Sequence, residues 1–235
     1  MGRPNMIIVT EVAPYSDGPA GVHGVLPQAA EALSELATLA GLDPMRPSGV
    51  RGIEADALTH GGVLALFTIG ETPWSDAQRV AIVDGVRSGR LAVLGVHAAT
   101  DACRAWDDYG VLLGGRFDGH PWTTTFDVEV VDRSHPSVAH LGDRFSWHDE
   151  VYLFSDLRPD AHVLLRVADG QLDMSVPGAR TPPSGFPLAW CFSEGRGPVF
   201  YTSLGHFPGA WETPFYLRHL AGGLSWLLDQ ADVGD

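Results

Sequence analysis

The chain has 235 residues, of which 45% are apolar and 19% are charged, and its formal net charge is −14. A chain of this length and apolar content can bury a core without disulfides or a structural metal. All fifteen basic residues are arginines and they form no basic stripe, which argues against a nucleic-acid partner, since that binding needs clustered cations.

Cysteine usage and hydropathy predict the compartment. Cys103 and Cys191 are too few for a disulfide framework, and neither lies in a CxxC pair. No apolar run approaches the roughly 18–20 residues of a membrane span, and residues 1–10 contain no charged-then-apolar leader. We therefore expect a cytoplasmic protein that does not contact membranes, with both thiols unpaired.

The first hundred residues alternate between predicted strands and helices. Short β-branched runs predict buried strands, whereas apolar residues at helical spacing after a proline predict helices. The predicted strands are residues 6–10, 63–69 and 91–96. The predicted helices begin at Pro27 and at Thr72-Pro73, where Thr72 is predicted to be the cap and Pro73 to lie in the first turn. This alternation indicates a doubly wound, mostly parallel sheet with its ligand site at the carboxyl ends of the strands.

The third strand ends in Gly95, followed by His97 and two alanines. Small residues after a buried strand predict a sharp strand-to-helix turn that lifts the apex residue, here His97, out of the sheet. About twenty residues later, a stretch with three glycines is expected to be a loop that presents Asp118 and His120. The loop after the first strand, residues 11–24, carries His23 toward the same predicted edge.

The second half of the chain predicts further strands and one closing helix. Alternating or apolar runs indicate strands at residues 123–131, 145–154, 161–167, 188–192 and 199–202, and a helix at 214–228. The turn at residues 194–197 predicts a hairpin. We expect one α/β domain over residues 1–235 with extra hairpins in its second half.

Several segments in this order resemble one known family. These are GVHAATDA, YGVLLGGRFDGHP, WHDEVYLF, LAWCFSEGRGPVFYTSLGH and GGLSWLL, and the resemblance extends over residues 6–228. The order resembles the ThuA-like (trehalose-utilisation) family of the class I glutamine-amidotransferase-like superfamily. The resemblance implies a flavodoxin-like fold and a role with oxidised (keto) disaccharides or glycosides. The first loop departs from the family's Gly-His-rich pattern and retains only His23.

The superfamily's glutaminase chemistry is not expected here. That chemistry needs a cysteine thiolate at the elbow, and the elbow residue of this chain is His97. Polar residues at or after predicted strands remain, and Asp101 is among them. Four of them, His97, His120, Glu150 and His206, are predicted to be catalytic. The same four could hold a divalent, zinc-like metal, or could instead work as a general acid/base set.

Five further residues are predicted to contact the substrate. An aromatic face suits the C–H face of a sugar ring, with core packing as the alternative role of the tryptophans. Arg116 could reach hydroxyls or a carboxylate of the substrate, or could instead pair with Asp118. The predicted substrate-binding residues are His23, Arg116, Asp118, Trp122 and Trp147. Between Asp149 and Glu150, we expect Glu150 to point into the site.

Two hypotheses follow for the function. The first is an enzyme, a hydrolase, lyase or isomerase, that acts on a small oxidised carbohydrate. The alternative is a non-catalytic sugar-binding or regulatory module on the same fold, which needs no convergent acid/base or metal set. We leave open whether the chain forms a homo-oligomer.

Overall fold

The computed structural model describes residues 3–15, 18 and 23–231. Eleven strands lie within this part of the chain. They are β1 (Asn5–Val12), β2 (Asp43–Met45), β3 (Gly62–Ile69), β4 (Leu91–Val96), β5 (Arg116–Phe117), β6 (Trp122–Val130), β7 (Arg144–Val151), β8 (Phe154–Ser155), β9 (His162–Val167), β10 (Pro187–Glu194) and β11 (Gly197–Thr202). Nine of them form one sheet in the order β2-β1-β3-β4-β11-β10-β9-β6-β7, and β5 pairs with β8 separately.

Helices cover both faces of this sheet. They are α1 (Leu26–Leu39), α2 (Asp76–Arg87), α3 (Asp107–Leu113), α4 (Pro208–Trp211) and α5 (Pro214–Gln230). Strands β3, β4 and β11 and the centre of β1 are buried on both sides, and successive residues enter two different cores. Met6 and Ile8 of β1 pack with α1 and α5, whereas Ile7 and Val9 pack with α2 and α3. The predicted doubly wound α/β fold is therefore confirmed.

The three strands predicted in the first half are neighbours in the sheet and run parallel. β1 pairs with β3 from Asn5 to Val12, and β3 pairs with β4 from Gly62 to Leu66. β4 also pairs in parallel with β11. The carboxyl ends of β1, β3, β4 and β11 thus lie along one edge, where an α/β sheet presents its functional groups.

The second half adds the predicted hairpins, and two of them, β6–β7 and β10–β11, extend the same sheet. β10 runs antiparallel to β11, β9 to β10, β6 to β9, and β7 to β6. Four antiparallel pairings separate β11 from β7, so β7 runs in the same direction as β11 and ends at the same edge as β4 and β11. β6 pairs with β9 only at residues 128–130, whereas it pairs with β7 along residues 122–129. Residues 122–127 of β6 and their partners on β7 therefore extend beyond β9 and carry the end of β7 over the carboxyl edge.

One local prediction, the cap of α2, was wrong. Ser75, not Thr72, caps α2, because its hydroxyl accepts from the Gln78 N–H while the Gln78 side chain accepts from the Ser75 N–H. The weakly patterned segment after α1 contains β2 and two short 3₁₀ helices, at Val50–Gly52 and Ala55–Leu58. The predicted loop at 11–24 falls partly outside the described residues, which omit 16–17 and 19–22.

A membrane span would need a helix that is both long and apolar. Among the residues that the structure describes, none forms a helix with the length and apolar character needed to cross a bilayer.

Candidate functional site

His97 occupies a strained turn directly after β4. Its φ is +48°, a left-handed conformation that costs energy for a residue with a side chain. A short 3₁₀ helix, His97–Asp101, follows the strand, and the Tyr201 hydroxyl donates to the His97 carbonyl at 2.6 Å. The predicted strand-to-helix elbow is thus present, and the side chain at its apex is fully buried.

The environment of the His97 ring selects one tautomer. Nδ1 lies 2.7 Å from the Ser203 carbonyl oxygen, which can only accept, so Nδ1 carries the hydrogen. Burial holds the pKa of His97 well below its usual value, so the ring is neutral and Nε2 keeps a lone pair. The Tyr152 hydroxyl, 2.8 Å away, donates to that lone pair. A backbone acceptor on one ring nitrogen is the arrangement that prepares the other as a ligand or base.

Glu150 and His206 converge on the same nitrogen of His97. His206 Nδ1 lies 3.1 Å from His97 Nε2, Glu150 Oε2 lies 3.5 Å from His97 Nε2, and Glu150 Oε2 lies 3.4 Å from His206 Nδ1. Glu150 comes from the end of β7 and His206 follows β11. Three residues distant in sequence therefore form a compact triangle because their strands end at one edge.

His23 completes this group. Its ring centroid lies 5.3 Å from that of His97 and 5.0 Å from that of His206. One ligand-type atom from each of His23, His97, Glu150 and His206 lies within 4.8 Å of the others. These four residues are called the histidine cluster below.

The charges in the histidine cluster are set by burial. Burial raises the pKa of Glu150 to about 7, and the nearby Asp149 carboxylate adds to that effect. Burial also lowers the pKa of His206 to about 4, assisted by His23 and His120. Neutral imidazoles beside a carboxyl group that ionises near neutral pH are suited to binding a cation or exchanging a proton.

His120 lies beside the histidine cluster, not within it. Its Nδ1 is 3.6 Å from Glu150 Oε1, the carboxylate oxygen that faces away from the triangle, and 44% of its side chain is exposed. Burial lowers the pKa of His120. His120 was predicted among the metal ligands and His23 in contact with substrate. The four ligand-type atoms that lie within 4.8 Å of one another include one from His23 and none from His120. His120 follows the Gly-rich loop and reaches Glu150 from the side opposite the triangle.

The other predicted substrate-binding residues have protein partners. Arg116 donates to the Trp106 and Asp107 carbonyls, at 3.2 and 3.0 Å, and Asp118 pairs with Arg180. Trp122 is buried, and its indole N–H donates to the Asp173 carbonyl at 2.8 Å. Trp147 stacks on Phe215 with 5.9 Å between ring centroids. None of these partners belongs to the histidine cluster, and the substrate contacts of the four residues remain predictions.

Two neighbours of Glu150 were not predicted as site residues. Tyr152 lies two residues after Glu150, a spacing that puts both side chains on one face of an extended chain, and this period could have indicated it. Asp149 points the opposite way, is fully buried, and accepts from the backbone N–H of Gly205 at 2.8 Å. The sequence alone does not show that Tyr152 contacts His97 or that Asp149 contacts the segment after β11, because both contacts join residues that are distant in the chain.

Neither cysteine has the environment of a nucleophile. Cys103 and Cys191 are both buried and unpaired. Burial raises the pKa of the Cys103 thiol to about 11 and that of the Cys191 thiol to about 12, so both thiols stay protonated at neutral pH. The residue at the elbow, where a glutaminase carries its thiolate, is His97.

Comparisons with solved structures agree with this fold. A ThuA-like protein from Bacteroides uniformis superposes with a TM-score of 0.77 at 19% identity, covering 100% of this chain and 95% of that one. A ThuA-like protein from Parabacteroides merdae gives 0.67 at 15% identity, with coverages of 99% and 93%. A GMP synthase protein from Thermoplasma acidophilum gives 0.50 at 12% identity, with coverages of 97% and 98%.

A sequence search of curated proteins finds no significant match. The model of the ThuA family, described as trehalose utilisation, matches residues 16–227. That range includes every residue of the histidine cluster. This chain therefore belongs to the ThuA family, on the glutamine-amidotransferase-like fold.

Proposed function

We propose that this chain is an enzyme of oxidised-sugar metabolism, with the histidine cluster as a divalent-cation site at its catalytic centre. One observation carries the proposal. A tetrahedral ion with bonds of roughly 2.0–2.1 Å holds its ligand atoms roughly 3.3–3.4 Å apart. The three distances within the triangle of His97, Glu150 and His206 are 3.5, 3.4 and 3.1 Å.

The donor set suits a zinc-like ion. Neutral imidazole nitrogen and carboxylate oxygen are ligands that zinc takes in catalytic sites, which use three protein ligands and one open position. His97, Glu150 and His206 would be the three close ligands. His23 lies within 4.8 Å and would provide a fourth ligand or face the substrate. When bound, such an ion polarises a carbonyl oxygen or acidifies a bound water.

In the metal-free protein, Glu150 and His120 would move protons. Glu150 has a pKa of about 7, so near neutral pH it can both take and release a proton. Its Oε1 faces His120, which is half exposed and can exchange protons with solvent. Where no cation is bound, we assign Glu150 the role of general base or acid, and His120 that of the group that links Glu150 to water.

The substrate class follows from the family. Its description as trehalose utilisation supports a carbohydrate, and we propose an oxidised (keto) disaccharide or glycoside that is hydrolysed, eliminated or isomerised. The buried, protonated thiols argue against cysteine-dependent glutamine hydrolysis. Unpaired cysteines also fit the cytoplasmic location that we propose.

Metal analysis and turnover on a panel of keto-glycosides would test this function. His97→Ala should lower zinc occupancy and activity together, because it removes one of three close ligands. His162→Ala is the matched control, since that histidine is exposed and pairs with Asp132 at the opposite end of β9. If the wild type turns over substrate without metal and His97→Ala lowers that rate by about 10²–10⁴-fold, acid/base catalysis would be the mechanism and the cation site would be refuted. Sugar binding without turnover in the wild type would favour the non-catalytic module.

A further inference from the structure

The segment that carries His206 is held at successive backbone groups by side chains. The Tyr216 hydroxyl donates to the Leu204 carbonyl at 2.8 Å, and the Trp211 indole N–H donates to the Gly205 carbonyl at 2.9 Å. The Asp149 carboxylate accepts from the Gly205 N–H at 2.8 Å and from the His206 N–H at 3.3 Å. Side chains from β7, α4 and α5 therefore determine where the backbone of His206 lies.

Gly205 shows how closely this segment is packed. Its φ is +114°, and a Cβ at this position would collide with the Tyr216 side chain. A change of Gly205 to a negative φ would break the hydrogen bonds that hold this segment. Because the backbone is held tightly, the Cα of His206 has a fixed position, and a fixed backbone is a condition for a preorganised site.

Asp149 is also attached to the strand that carries Glu150. Its Oδ1 accepts from the Glu150 N–H at 2.9 Å, and its Oδ2 accepts from the Trp147 indole N–H at 3.1 Å. One fully buried carboxylate thus contacts the backbone N–H groups of both Glu150 and His206. The side chains of those two residues approach to 3.4 Å.

We propose that Asp149 is a positioning residue that sets the separation of Glu150 and His206, and through it the affinity of the histidine cluster for a divalent cation. The cation part rests on the function proposed above. Asp149 is not itself a ligand in this proposal, because four N–H donors already occupy the lone pairs of its two oxygens. It acts through the two residues that it holds together.

Asp149→Asn is the direct test. The amide keeps one accepting oxygen, but its NH₂ group must face two N–H donors whichever way it turns. We expect the affinity for Zn²⁺ alone, measured at pH 8 by competition with a chromophoric chelator, to fall about 10–100-fold. Asp149→Glu keeps the charge but moves the carboxylate by one methylene, and it should show a similar loss.

Val128→Ala is the matched control for a general loss of stability. Val128 is fully buried in β6, and its replacement should weaken the core without touching the site. A folded Asp149→Asn protein with wild-type zinc affinity would make Asp149 purely structural. Equal losses of affinity in Asp149→Asn and Val128→Ala would overturn the proposal as well.

A crystal structure of metal-free Asp149→Asn, or of Asp149→Glu where the first variant does not fold, separates this inference from the proposed function. The distance between Glu150 Oε2 and His206 Nδ1 should open well beyond its present 3.4 Å. An unchanged distance would refute the positioning role even where zinc binds. A wild type that binds no zinc, together with an opened distance in the variant, would refute the cation site and keep Asp149 as the residue that orders the pair.

Discussion

In the metal-free protein, replacing Glu150 with glutamine should stabilise the fold. Burial, together with the charge of Asp149, raises the pKa of Glu150 from 4.5 to about 7. A carboxyl group whose pKa is raised by folding destabilises the native state as it ionises. The destabilisation is absent below the unfolded pKa and complete above the folded one. The difference between an unfolded pKa of 4.5 and a folded pKa of about 7 corresponds to a loss of roughly 3 kcal/mol of folding stability at pH 8.

Glutamine has a similar size and does not ionise, so it removes this cost. We expect urea unfolding of Glu150→Gln in EDTA to give a free energy of unfolding about 2–3 kcal/mol above that of the wild type at pH 8. The advantage should shrink below about 1 kcal/mol at pH 5, where Glu150 is protonated in the folded protein. The variant should bind zinc poorly, because it has lost the carboxylate ligand.

Glu194→Gln is the matched control with the opposite sign. Glu194 accepts from Arg87 at 3.0 Å and from Arg158 at 2.8 Å, and these partners hold its pKa below the usual value despite the opposing effect of burial. Its replacement should therefore lower stability at pH 8. A Glu150→Gln protein that is less stable than the wild type at pH 8, or whose difference from it does not change with pH, would refute the reasoning about Glu150.

Two further predictions concern zinc affinity and packing. Zinc affinity should fall about tenfold per pH unit below about 7 as Glu150 takes up a proton, whereas His206, with a pKa of about 4, should not contribute above pH 5. Affinity that stays constant from pH 8 to 6 would contradict this. Gly222→Ala should cost about 3 kcal/mol or more in thermal unfolding, because its Cβ would lie 2.5 Å from Ser137 Cα, whereas Gly209→Ala meets no atom within 4 Å and should be neutral.

The sequence predicts the central part of the fold well because that part depends on local patterns. A buried parallel strand needs a short β-branched run, and residues 91–96 match β4 at both ends. A tight turn needs small neighbours, and the small residues around His97 predicted the elbow there. In the structure His97 has a positive φ. The cap of α2 was predicted at Thr72 but lies at Ser75, and a local pattern does not distinguish two such hydroxyls, since either can accept from a helix N–H.

The composition of the histidine cluster was decided by tertiary structure. His97 and His206 could be predicted from the sequence because each was expected after a strand, and Glu150 because it lies beside aromatic residues in a predicted strand. The choice between His23 and His120 depends on where the two side chains lie relative to His97 in the folded protein, and no local pattern describes that. Tyr152 and Asp149 acquire partners only because the β6–β7 pair leaves β9 and brings the end of β7 to the segment after β11. Sequence determines which side chains alternate along a strand, whereas the pairing of distant strands determines what each face meets.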